Sequence, residues 1–383
     1  MRTALIAALV TAATLGAPTV VAAGPPHACV ASAPLDTTAL RQAIAGLPNA
    51  DATAAIVRAT GPDGCWAGTA GVADRNRNTP VPSNARFRIG SVTKVFTATV
   101  VLQLAAEGRI GLDGTVQRYL PGLLPADYPP VTVRQLLNYT SGLPSPDFDE
   151  ASVEYMVAHR FDRWTPQRYV DLAMSNPMEF APGTKQHYRN INHIVAGMLI
   201  EKVTGESYED AVRDRILRPL RLSDTTVPGH EPAIHGPHLR GYQVMPDGTL
   251  LDVTRWNQSF GWAASSIIST TRDLDTFTAA LLDGRLLPPA QQAELFAVPA
   301  VPDVSGAPAS YGGGLQRYEI PGVGEVWGKT GGSYGYLAGI GGTRDGERRL
   351  TYGLAVNDAK NGKNQSKLPQ KIVAAGMTLS TAE

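Results

Sequence analysis

The sequence has no excess of charge of either sign. Its 383 residues include 34 Lys plus Arg and 34 Asp plus Glu, which gives a formal net charge of zero. This balance leaves no basic field to attract nucleic acid, so we expect a small or peptide-like substrate. Zinc-like Cys/His spacing is also absent, since His235 and His238 lie in a Gly-Pro loop and two ligands alone make a weak site. We therefore expect neither a metal nor an organic cofactor.

Long hydrophobic runs are scarce. One apolar run, at residues 4–15, follows Arg2 and precedes the small residues Val21-Ala22-Ala23, which is the pattern of a secretory signal peptide. An uncleaved membrane anchor is the alternative, but Gly16 and Pro18 interrupt the segment. No later stretch is long enough to span a bilayer. We predict a signal peptide over residues 1–23 and a secreted monomer without a stable membrane anchor.

Cysteine is nearly absent, with only Cys29 and Cys65 in the chain. Export would permit a disulfide between them, which would tie the mature N-terminus to the strand around Trp66. Two free buried thiols are the alternative.

The distribution of strand and helix patterns predicts the fold class. Apolar residues make up 43% of the chain and charged residues 18%, enough for a large core. Strands are predicted at residues 54–60, 65–73, 313–320, 325–331, 336–342 and 349–356, and helices at 92–106, 133–137, 166–175, 192–203, 208–217, 271–282 and about 367–377. We predict an α/β (α+β) fold over residues 36–378. An antiparallel sheet flanked by helices would use residues 36–110 and 240–378, with a mostly helical insertion at about 111–239.

Ser91 and Lys94 form the only Ser-x-x-Lys in the chain. On a helix these two positions share a face, so the side chains meet. A serine hydroxyl needs a neighbour to take its proton, and a buried lysine with a lowered pKa can do so. By itself the motif is weak, because about one match is expected by chance in a chain of this length. Lysine is rare here, however, with 8 Lys against 26 Arg, and only lysine can surrender its proton.

Tyr188-Arg189-Asn190 is the only Tyr-x-Asn, and it lies just before a predicted helix. A phenol can relay a proton to a leaving group, and a carboxamide can hold a substrate amide. The alternative is a helix-entry Tyr with Asn as the N-cap.

Lys329-Thr330-Gly331 is the only Lys-Thr-Gly, on a predicted strand. A cation, a hydroxyl and an unhindered backbone suit a substrate carboxylate lying along a strand edge. An ordinary turn at the strand end is the alternative.

These three motifs, in this order, resemble those of the penicillin-recognising serine hydrolases. That superfamily includes D-alanyl-D-alanine carboxypeptidases, class C β-lactamases and related esterases and D-aminopeptidases. The resemblance extends over about residues 36–357. Within the superfamily, the chain is most similar to the secreted actinomycete-type carboxypeptidases. It implies the β-lactamase/transpeptidase-like fold.

The resemblance also implies roles for individual residues. Ser91 would form the acyl-enzyme, with Lys94 and Tyr188 sharing proton transfer. The other candidates would bind substrate: Asn190 its amide, Lys329 and Thr330 its terminal carboxylate, and the backbone N–H of Gly332, with that of Ser91, its oxyanion. Arg317 on the preceding strand is a further candidate for the carboxylate.

Three departures leave the substrate preference open. Lys329 stands where the carboxypeptidases that this chain most resembles often carry His. Gly332 stands where Thr or Ser is common, and Arg189 replaces a small residue between Tyr188 and Asn190. We predict a D-alanyl-D-alanine carboxypeptidase acting on cell-wall peptides. A β-lactamase is the first alternative, an esterase or D-amino-acid amidase the second, and a non-catalytic penicillin sensor the third.

A second serine motif, Gly331-Gly332-Ser333-Tyr334-Gly335, matches the G-x-S-x-G nucleophile elbow. That elbow requires a strand–turn–helix context and a histidine further along the chain. Here the last histidine is His238, and strands are predicted on both sides. The α/β-hydrolase interpretation is therefore rejected.

Overall fold

The computed structural model describes residues 36–147, 152–359 and 366–380. The predicted signal peptide at residues 1–23 lies outside the described residues. So does Cys29, one partner of the disulfide that export would permit with Cys65. Within the described ranges, no helix combines the length and apolar character needed to cross a membrane.

A seven-stranded antiparallel sheet, ordered β3-β2-β1-β11-β10-β9-β8, organises the molecule. Its N-terminal and C-terminal strands join where β1 pairs with β11, with Val57 opposite Tyr352. The strands of the protein are β1 Ala52–Gly61, β2 Gly64–Asp74, β3 Thr79–Pro80, β4 Phe87–Arg88, β5 Tyr242–Val244, β6 Leu250–Asp252, β7 Ile268–Ser269, β8 Gln316–Ile320, β9 Gly324–Ser333, β10 Tyr336–Gly342 and β11 Arg349–Val356.

Helices flank the sheet, and α3 to α8 fill the segment between residues 111 and 239, whose described part contains no strand. The helices are α1 Thr38–Ile44, α2 Thr93–Ala106, α3 Val116–Tyr119, α4 Val133–Leu137, α5 Val153–Ala158, α6 Pro166–Ala173, α7 Ile191–Thr204, α8 Tyr208–Val212, α9 Trp262–Ser265, α10 Thr271–Leu282, α11 Pro289–Leu295 and α12 Leu368–Met377. The predicted antiparallel sheet with flanking helices is confirmed.

Two apolar layers lie on the two faces of the sheet. The larger layer packs the sheet against α2, α7 and α10, and the smaller one packs it against α1 and α12. Helix α2 is buried along almost its whole length, which explains why its sequence has no polar face.

Some predicted boundaries differ from the observed ones. The strand predicted at 313–320 begins only at Gln316. At Gly312 the chain is pressed against α11, where an ideal Cβ would lie 2.4 Å from the Leu295 carbonyl oxygen. The helix predicted at 208–217 ends at Val212 and continues as a π-helical turn, Arg213–Leu217.

Candidate active site

The turn before α2 presents Ser91. A short 3-10 helix, Gly90–Val92, follows β4, and β4 is fixed by antiparallel pairing with β7. Gly90 has a φ of 50°, and an ideal Cβ there would lie 2.7 Å from both the N and O atoms of Gly332. Only glycine suits that backbone and that close approach. The nucleophile turn therefore lies directly against β9.

Lys94 is fully buried on α2, and its Nζ atom contacts three oxygen atoms. Ser91 Oγ lies 3.0 Å away, Asn190 Oδ1 2.7 Å and the Ala264 carbonyl oxygen 2.9 Å. The amide and carbonyl oxygens can only accept hydrogen bonds. Ser91 Oγ differs from these two oxygens because it carries a proton. A neutral Lys94 at this distance is able to accept that proton.

Tyr188 lies beside the same serine. Its hydroxyl is shielded from solvent, and burial raises the pKa of the Tyr188 phenol well above its usual value, an effect that the nearby Ser91 hydroxyl partly offsets. Among the described residues that hydroxyl makes no well-aligned hydrogen bond. The phenol therefore keeps its proton at neutral pH and is able to donate it to a leaving group.

Strand β9 provides an open edge beside the nucleophile. Its pairing with β8 ends at Gly328, so no strand within the described residues pairs with Lys329 to Ser333 on that side. At Gly331 an ideal Cβ would lie 1.9 Å from the Ile89 carbonyl oxygen and 2.9 Å from the Ser91 nitrogen. Gly331 thus permits the strand edge to contact the nucleophile turn, where an extended substrate could add as a strand.

Lys329 is almost fully buried at this edge, and its Nζ atom donates to the Thr330 carbonyl oxygen over 2.8 Å. The Nζ atom also lies 4.6 Å from the centre of the Tyr188 ring. Burial lowers the pKa of Lys329 to about 7. This side chain therefore changes charge near neutral pH. Thr330 is exposed and next to it, with its side chain beside Tyr318.

An aromatic cluster that the sequence analysis missed surrounds the two lysines. Tyr139 lies 4.8 Å from Tyr188, 4.9 Å from Tyr311 and 5.2 Å from His193, measured between ring centres. Burial, with the charges of the two lysines, holds the pKa of His193 well below its usual range, so His193 stays neutral. Apart from Tyr188, these residues belong to no motif. The one signal in the sequence was their aromatic character near the motifs.

Arg317 is placed differently from the other candidates. It pairs with Trp327 across β8 and β9, its side chain is exposed, and it borders a surface depression formed by residues 298–309. Within the described chain its guanidinium makes no hydrogen bond or ion pair. The structure thus brings Ser91, Lys94, Tyr188 and Asn190 together next to the edge formed by Lys329, Thr330 and Gly332, while no hydrogen bond or ion pair of the described residues joins Arg317 to that group.

Two further observations concern the alternatives. Ser333 ends β9 and Tyr336 begins β10, so the second serine motif lies in a strand–turn–strand context, as predicted. In residues 36–147, 152–359 and 366–380, no group of three or more His, Cys, Asp or Glu is placed to hold a metal ion.

Comparison with known proteins identifies the class. The family model described as Beta-lactamase matches residues 40–376. The site and this match define a penicillin-recognising serine hydrolase, and the chain belongs to the beta-lactamase family.

Two groups of solved structures are similar over most of the chain. A D-stereospecific amidohydrolase from Streptomyces sp. is 38% identical, with a TM-score of 0.78 over 90% of this chain and 99% of that one. The D-amino acid amidase from Ochrobactrum anthropi SV3 is 27% identical, with a TM-score of 0.74 over 89% and 97%.

Curated relatives match over shorter stretches. Penicillin-binding protein 4* of Bacillus subtilis (strain 168) is 31% identical over 180 residues, or 45% of this chain and 37% of that protein. Penicillin-binding protein 4 of Amycolatopsis lactamdurans is 35% identical over 157 residues, or 40% and 39%. The match therefore spans less than two-fifths of either relative's length.

Proposed function

We propose that this protein hydrolyses the amide or ester bond on the carbonyl side of a D-amino acid residue, through an acyl-enzyme on Ser91. The arrangement around Lys94 Nζ carries the proposal, because Ser91 Oγ lies 3.0 Å away and carries a proton, whereas the Asn190 and Ala264 oxygens only accept hydrogen bonds. The preference for a D-residue is supported by the similarity to the D-stereospecific amidohydrolase.

The chemistry has two stages. Lys94 takes the Ser91 proton while Oγ attacks the substrate carbonyl, and the oxyanion is held by the backbone N–H groups of Ser91 and Gly332. The Tyr188 hydroxyl donates its proton to the leaving amine as the C–N bond breaks, and Lys94 returns the proton to Tyr188. Water then attacks the acyl carbon, giving a proton to Lys94. The C–O bond to Ser91 breaks, and Oγ takes that proton back.

The leaving group distinguishes an amidase from a carboxypeptidase. D-alanyl-D-alanine carboxypeptidase, which the sequence predicted, is our second candidate, favoured by the Lys329 cation and the Thr330 hydroxyl at the open edge, which suit a terminal carboxylate. Gly332 adds no hydroxyl to this clamp, and no hydrogen bond or ion pair of the described residues holds Arg317 beside it. A D-aminoacyl amide or ester, which lacks that carboxylate, is therefore the preferred substrate class. We further propose that the enzyme is exported and works as a monomer.

A matched substrate panel tests the proposal. It contains a D-aminoacyl amide, its L-enantiomer, a peptide ending in D-Ala-D-Ala and a penicillin, each with the native enzyme and with Ser91→Ala. We expect turnover of the D-amide, a D over L preference above about 100-fold and no turnover by Ser91→Ala. Release of D-alanine alone would instead identify the carboxypeptidase. A stable penicilloyl adduct without turnover of any substrate would contradict both.

A further inference from the structure

The segment that holds Tyr188 has a charged neighbour on each side of the tyrosine. One carboxylate, that of Glu179, contacts both. Its Oε2 atom lies 2.5 Å from His187 Nδ1, and its Oε1 atom accepts a hydrogen bond from Arg189 Nε over 2.9 Å. All three side chains are largely shielded, with 20% to 27% of their surface exposed. Glu179 therefore joins the residues immediately before and after Tyr188.

The contacts alternate along the segment. His187 and Arg189 both contact Glu179, while Tyr188, between them, lies beside Ser91. This is the alternation of side chains that an extended chain produces. Rotation of this short segment about its axis would move the Tyr188 hydroxyl away from the serine, and two contacts to one carboxylate oppose that rotation.

Glu179 is itself anchored to the rest of the site. Its backbone N–H donates to the Gly142 carbonyl oxygen over 2.9 Å, and the His187 N–H donates to the Tyr139 carbonyl oxygen over 2.9 Å. Gly142 has a φ of 71°, and an ideal Cβ there would lie 2.0 Å from the Phe180 carbonyl oxygen. The carboxylate is thus connected to the segment that places the Tyr139 ring against Tyr188.

We infer that Glu179 is a positioning residue that holds the Tyr188 hydroxyl at Ser91 by binding His187 and Arg189 together. The inference rests on the proposed function, in which Tyr188 transfers a proton to the leaving group. It also assigns a use to Arg189, the large charged residue between Tyr188 and Asn190. Arg189 is part of this clamp, because its Nε donates a hydrogen bond to Glu179 Oε1.

A double-mutant cycle between Glu179→Ala and Tyr188→Phe tests the clamp. The rate of Ser91 acylation by a penicillin is the readout, because it does not depend on the natural substrate. In the native background Glu179→Ala should slow acylation by about 10- to 100-fold, within the range of a proton-transfer group. In the Tyr188→Phe background it should change the rate less than about twofold, since the clamp acts through the phenol.

Two further variants control for folding. Asp275→Asn removes a carboxylate on another part of the sheet. Like Glu179, Asp275 joins two basic side chains, here Arg58 and Arg349. The substitution should lower Tm without changing acylation by the folded enzyme. If Glu179→Ala does not fold, Glu179→Gln and Arg189→Met replace it in the cycle, with the same expectation.

The outcomes separate the two claims. Equal acylation rates for the native enzyme and the Glu179 variants would overturn the inference. So would a loss of rate from Glu179→Ala that is as large in the Tyr188→Phe background as in the native one. If the native enzyme is acylated neither by the penicillin nor by a D-aminoacyl ester, the proposed function fails, whatever the variants do. If only the ester acylates it, the same cycle is run with the ester.

Discussion

Lys94 and Asn190 meet in the interior of the protein, with the Lys94 Nζ atom 2.7 Å from Asn190 Oδ1. Lys94 lies on α2, and Asn190 immediately precedes α7, so the contact joins two buried helices. The acceptor is an uncharged amide oxygen. Because a carboxylate at the same place would favour the ammonium form, the amide keeps neutral Lys94 accessible as a base.

Asn190→Asp should therefore disable the enzyme while leaving its fold intact. The new carboxylate would stabilise the Lys94 ammonium and raise its pKa, so acylation at pH 7 should fall by at least about 100-fold. The acidic limb of the pH–rate profile should move to higher pH. Asn190→Ala, which only removes an acceptor, is the control and should not move that limb upward. An unchanged profile in Asn190→Asp would contradict the assignment of Lys94 as the base.

The charge of Lys329 should control binding of anionic substrates. Because burial lowers the pKa of Lys329 to about 7, the side chain is an ammonium below that pH and loses its charge above it. The KM for a peptide with a free terminal carboxylate should rise as pH increases through 7, by up to about tenfold per pH unit. The KM for a neutral D-aminoacyl amide should stay constant over the same range. Parallel KM curves for the two substrates would rule out this role.

The same lysine should cost stability. Its pKa falls from a usual value of 10.5 to about 7 on folding, so between these values the unfolded chain binds more protons and stability rises with pH. Lys329→Met lacks this penalty. At pH 6 it should be more stable than the native protein by about 2–5 kcal/mol, and the difference should vanish near pH 10.5. Urea unfolding of both proteins across this pH range measures the effect. If the difference in their free energies of unfolding did not change with pH, Lys329 would not be a buried amine with a lowered pKa.

Gly331→Ala should break the contact between β9 and the nucleophile turn. The new methyl group would lie 1.9 Å from the Ile89 carbonyl oxygen, so either the strand or the turn must move. We expect a loss of about 1–3 kcal/mol in the free energy of unfolding and at least a 100-fold loss of acylation rate. Gly341→Ala is the matched control on β10, because its nearest neighbouring atom would be 3.4 Å away. Similar losses in both variants would show that the effect is not specific to the turn.

Much of the fold and part of the site could be predicted from the sequence. Hydrophobic periodicity and turn residues placed α10 and the meander strands within a few residues, because these elements bury one clear face. Motif order indicated that Ser91, Tyr188 and Lys329 share a site. The short β4–β7 pair, which fixes the nucleophile turn, was missed because two residues carry no periodicity.

The contacts that tune the site could not be predicted. The Ala264 oxygen that binds Lys94 is a backbone atom, so no side chain marks it in the sequence. Contact between His193 and Tyr139 depends on how α7 packs against a loop more than 50 residues earlier. Arg317 was proposed for the carboxylate because β8 precedes β9. The strand register places it opposite Trp327, two residues before Lys329, and its role stays a prediction.

The proposed function requires an acyl-enzyme on Ser91. Intact-protein mass spectrometry followed by peptide mapping detects that species directly. A D-aminoacyl ester and a penicillin would each be mixed with the native protein, with Ser91→Ala and with Ser333→Ala, and quenched over a time course. We predict one adduct per chain on Ser91 in the native protein and in Ser333→Ala, and none in Ser91→Ala. Two results would contradict an acyl-enzyme on Ser91. One is an adduct that still forms in Ser91→Ala, and the other is undiminished hydrolysis of the ester by Ser91→Ala.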